Sequence, residues 1–86
     1  MEILLDNVIP EDHPRTFTTN ASDHKDVIKV KQAVMALEGV ESIEFLDVVF
    51  PKQFKVSVSK MIEVRFVEEA VNEVGFNAIP REFLSF

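Results

Sequence analysis

The chain has no cysteine, tryptophan or tyrosine, and only two glycines and four prolines among 86 residues. Without cysteine there is no disulfide, no Cys-ligated zinc, no iron–sulfur cluster and no thiol catalysis. So few glycines and prolines leave little material for long flexible loops. Basic residues are also short, nine Lys and Arg against fifteen Asp and Glu, for a net charge of −6. A phosphate backbone rewards the opposite balance, so nucleic acid is not an expected partner. An anionic membrane surface is disfavoured for the same reason. No apolar run approaches the ~20 residues of a membrane span. The opening Met1-Glu2-Ile3-Leu4-Leu5-Asp6 has an acid where a secretion signal carries basic residues. The expected location is cytoplasmic.

What is present suits one small core. The apolar fraction is 47%, with eight Phe, which fits a single globular domain and not a disordered tail. A chain of this length buries roughly 60–65% of its unfolded surface, so the core must be efficient.

Two segments carry helical periodicity. Over Lys25–Leu37, Val27, Val30, Val34 and Leu37 fall at offsets 0, 3, 7 and 10, one face of a helix. Asp23 stands before it as an N-cap, Asp26 is a first-turn acid facing the positive end of the dipole, and Glu38-Gly39 ends it. Val64, Val67, Val71 and Val74 repeat the same spacing, and Gly75 ends that segment. Valine is a mediocre helix former, so burial against a sheet must hold both helices.

Strands fill the intervals. Arg15–Asn20 is rich in Thr and Phe. Ser42–Phe50 and Phe54–Ser59 flank Pro51-Lys52, and Phe54, Val56 and Val58 alternate with polar residues. A short strand over Phe76–Ile79 ends at Pro80. The order β-α-β-β-α-β predicts an α+β fold of the ferredoxin-like, split βαβ type. It implies a four-stranded antiparallel sheet with two helices on one face. The domain core is expected at about residues 15–80, with an N-terminal extension over 1–14 and a C-terminal tail over 81–86. Ile3–Ile9 could supply an extra edge strand, and Phe83, Leu84 and Phe86 make an apolar tail. The stretch Ala33–Ile43 also echoes Ala70–Ile79 with one residue deleted, each reading helix, Gly, strand.

Thr16-Phe17-Thr18, Leu37-Glu38-Gly39-Val40-Glu41-Ser42-Ile43 and Ala70-Val71 followed by Gly75-Phe76 form a pattern that resembles the heavy-metal-associated domain. This family includes copper chaperones, the periplasmic mercury-binding protein and the N-terminal modules of soft-metal ATPases. The resemblance covers about residues 16–79 and implies the same βαββαβ fold. The family's ligands are two thiolates in M-x-C-x-x-C at the junction of its first strand and helix. Counting back from Val30 and Gly39, the two thiolate positions are Asp23 and Asp26, and the Met position is Ala21. A basic residue that related chaperones place two before the second glycine is Glu73 here. Cu(I), Hg(II) and Cd(II) prefer sulfur over carboxylate oxygen, so soft-metal binding is not expected and no cofactor is implied.

Other readings of these residues stand beside that one. Asp23, His24 and Asp26 are in kind a weak hard-metal set, for Zn²⁺ or Mn²⁺, but the positive end of the helix dipole repels a cation and the two acids already serve as helix-starting residues. His13 reads as a solvated loop histidine. Met35 and Met61 are isolated and read as filler, not thioether ligands. Ile28 and Met35 lie seven apart, well off the centre of the Val27/Val30/Val34/Leu37 stripe. Either they contact the second helix, or they form an exposed apolar strip for a partner protein or a second copy. No phosphate loop, nucleophile triad or paired catalytic acids are evident. The expected function is therefore a non-enzymatic, degenerate heavy-metal-associated module acting by protein contact. The alternatives are a metal-transport protein using carboxylate and His ligands, or a small-molecule regulatory module of the amino-acid-sensing (ACT-like) type.

Overall fold

The alternation along Phe54, Val56 and Val58 has its expected consequence. All three side chains are buried, while Gln53, Lys55 and Ser57, which alternate with them, are half-buried. The computed structural model describes residues 7–46 and 52–81. The elements in order are β1 (Val8–Ile9), β2 (Arg15–Thr19), α1 (His24–Met35), β3 (Val40–Phe45), β4 (Lys52–Val58), β5 (Ile62–Glu63), α2 (Val64–Glu73) and β6 (Ala78–Pro80). Four strands form one antiparallel sheet in the order β3-β4-β2-β6. The fold is α+β and compatible with the ferredoxin-like type.

The centre of the sheet is an aromatic pair in register. Phe17 opposes Phe54, and the two rings stack at 5.3 Å with Phe45 tilted onto Phe54 at the same separation. Such pairs add about 0.5–1.5 kcal/mol beyond their area burial. Val30 and Val34 of α1 and Val64, Val67 and Val71 of α2 belong to the same buried cluster as Phe17, Phe54 and Val56. Both helices therefore cover one sheet face. The other face carries Thr16, Thr18, Lys55 and Glu44, with Lys55 Nζ 3.9 Å from Glu44 Oε1.

The N-terminal segment differs from the expectation. Val8–Ile9 does not extend the edge of the four-stranded sheet; it pairs with Ile62–Glu63 in a separate two-stranded ladder. Ile9 is fully buried in the common core. The Val64 amide donates to the Asn7 carbonyl at 2.8 Å, so this segment satisfies one of the orphan donors at the start of α2. Arg15 Nη1 donates to the Val8 carbonyl at 3.1 Å. Residues 1–6, the continuation of the second predicted strand over 47–50, and the tail Phe83, Leu84 and Phe86 lie outside the described residues.

The two helices end differently, despite the echo between the halves. After α2, the Phe76 amide donates to Val71 carbonyl and the Gly75 amide to Asn72 carbonyl, a Schellman stop with Gly75 at φ +99°. α1 stops earlier, at Met35, and the residue deleted from the second half lengthens its turn. Gly39, also at φ +99°, sits in that turn against β5. A Cβ there would lie 2.8 Å from Ile62 Cγ2. Among the described residues no helix is long and apolar enough to cross a membrane.

Candidate functional site

The β2–α1 junction is held from inside. Thr19 is buried and its Oγ1 accepts the Ala21 amide at 3.3 Å. Ala21 is fully buried, so the junction packs inward there. Asn20 Oδ1 accepts the Asn77 amide at 2.9 Å, which ties this loop to the one between α2 and β6. From Ser22 onward the chain turns out, and Asp23, His24 and Lys25 are exposed while Asp26 is half-buried.

Asp23 occupies the N-cap with extended backbone (φ −75°, ψ 156°), and its carbonyl accepts the Val27 amide at 2.9 Å. Its side chain makes no capping hydrogen bond. That corrects the expectation in part: the position is right, the carboxylate does not cap. Asp26 is in the first turn as expected.

The hard-metal set is not assembled. Among the described residues no three His, Asp or Glu side chains are grouped so as to hold a cation. His24 lines a recess of about 270 Å³ with Ser22, Val27, Phe45, Leu46 and Lys52, and neither Asp23 nor Asp26 lines it. The Lys52 ammonium makes that recess a poor neighbour for a metal ion. His13 is an exposed loop residue. Glu73 is exposed at the end of α2.

Ile28 and Met35 are 39% and 45% exposed. Met35 does not lie on the flank turned to the second helix. The flank of α1 turned to α2 is Ala33, Ala36 and Leu37, while Met35 sits over the β3 edge in a shallow recess of about 300 Å³ with Lys31, Gln32 and Ile43. Sequence reasoning missed Phe66, also 39% exposed, and the trough it shares with the α1–β3 turn. Ala33, Ala36 and Ala70 were the available signal, small residues on facing helix flanks. No protein-family model matches the chain, and neither a curated protein nor a solved structure shows significant similarity to it.

Proposed function

We propose that this chain is a non-enzymatic cytoplasmic module, heavy-metal-associated in type but without the thiolate site, that acts by protein contact. The observation that carries the reading is the exposure of two large apolar side chains, Ile28 and Met35, two turns apart on α1. Apolar side chains grouped on a solvent-facing surface mark contact sites more often than isolated ones do. The supports for the family are the motif residues around Gly39 and Gly75 and the strand order. Carboxylates in place of thiolates remove affinity for soft ions, so the contact surface, not a metal, is the working part.

The test is titration of the chain with Cu(I) against a competing chelator. The reading expects no sub-micromolar binding; a tight stoichiometric complex would sink it. In parallel, Ile28→Lys with Met35→Lys should leave the fold intact by circular dichroism, because both side chains are exposed.

A further inference from the structure

The two helices leave a trough on their outer side. Ala33, Ala36 and Leu37 face Phe66, Ala70 and Val74 around a recess of about 380 Å³. Leu37 and Phe66 also line an adjoining recess of about 470 Å³, completed by Val8, Met61 and Ile62 next to the β1–β5 ladder. The shared pair sets the two recesses side by side along α2. Its floor is apolar, and three alanines there allow close backbone approach, since the interaxial distance of packed helices follows the size of the side chains between them.

Its wall is acidic. Glu69 and Glu73 line the first recess; Glu38 and Glu63 line the second together with Lys60, so the unbalanced negative charge is at the first. Glu38 is held by Lys60 at 3.1 Å and Glu63 by Arg65 at 2.7 Å. Glu69 and Glu73 have no ion-pair partner among the described residues. They stand four apart on one helix face, where like charges repel. A cation laid across the trough would relieve that repulsion.

We propose that this trough binds an amphipathic helix of a partner protein whose apolar stripe is flanked by Lys or Arg. The inference rests on the reading of the chain as a protein-contact module and assigns it a contact surface other than Ile28 and Met35, with its partner class. α2 has ten residues, about 15 Å at 1.5 Å per residue, room for about three turns of a guest helix. A second copy fits poorly, because each chain carries a net charge of −6 and pairing trough to trough would bring like carboxylates together. The partner's cations give the specificity, and its apolar stripe the burial.

The experiment uses the full chain and an amidated 14-residue peptide of leucine and lysine patterned as an amphipathic helix, with a leucine–glutamate peptide as its opposite. NMR titration should show saturable one-to-one binding of the lysine peptide alone, with shifts centred on the Ala33, Ala36 and Ala70 methyls. Affinity should fall with salt. Glu69→Lys with Glu73→Lys should weaken binding about tenfold or more, while Glu41→Lys with Glu44→Lys, an equal change in net charge, should weaken it less than about threefold. The inference is overturned if both peptides bind alike, if the shifts map to Ile28 and Met35, if the two double reversals are equivalent, or if sedimentation shows a second copy occupying the trough. None of these outcomes touches the thiolate-free reading, which falls only to tight soft-metal binding.

Discussion

Asp23 separates two things that an N-cap assignment usually merges, the backbone position and the side-chain bond. The backbone is extended and the helix starts after it, but the carboxylate bonds to nothing in the cap. A lost capping bond costs about 0.5–2 kcal/mol. Asp23→Ala should therefore fall at or below the bottom of that range, with only a weak dipole contribution removed. Urea unfolding checks this, and a loss well above about 1 kcal/mol would mean the side chain does cap in solution. The two glycines make a second comparison. Both need positive φ, which costs a residue with a Cβ roughly 1–2 kcal/mol. Nothing lies within 4 Å of a Cβ at Gly75, whereas one at Gly39 meets Ile62 Cγ2 at 2.8 Å. Gly75→Ala should cost that strain alone. Gly39→Ala should cost about 1–3 kcal/mol more from overpacking, measured by the same denaturant curves.

At the scale of elements, the β1–β5 ladder links the N-terminal extension to α2. It is only two residues deep on each side, too short to be stable alone. What holds it is Ile9, with no exposed surface, and the Asn7 carbonyl that receives the first amide of α2. Ile9→Ala should cost about 2–5 kcal/mol. That is a large share of the roughly 4–13 kcal/mol expected for a domain of this size. If β1 were a dispensable extension, the variant would unfold at nearly the wild-type urea concentration. The helices show the complementary case. Val30, Val34, Val67 and Val71 are buried where the 3.6-residue period puts them, because which face of a helix is apolar is a local property of the chain.

For the whole molecule, the question is whether the β2–α1 junction keeps the shape that the resembling family uses. Asp23 at the N-cap and Asp26 in the first turn stand where a helix dipole favours thiolates. The double change Asp23→Cys, Asp26→Cys should then gain Cu(I) or Hg(II), at one ion per chain or per pair of chains. The unchanged chain should not. Glu73→Lys in the double-cysteine background should strengthen binding, and more so at low salt. A folded double variant that ignores soft metal in competition titrations would reduce the family resemblance to shared fold.

The order of the two helices and the four strands of the main sheet, the apolar helix faces and the buried side of β4 were legible in the residues themselves, since each follows from a period of 3.6 or 2 within one segment. The positions of Asp23 and Asp26 at the start of α1 were legible for the same reason. Three features were not. Val8–Ile9 found its partner more than fifty residues away at Ile62–Glu63, and no local pattern encodes a pairing between two-residue strands. Gly39 and Gly75 looked equivalent, yet only Gly39 is pressed against another side chain, which depends on where β5 passes. Whether Met35 would be covered turned on which flank of α1 received α2. The chain alone determined which side chains avoid water; only the tertiary structure decided which of them found cover, because cover comes from elements distant in sequence.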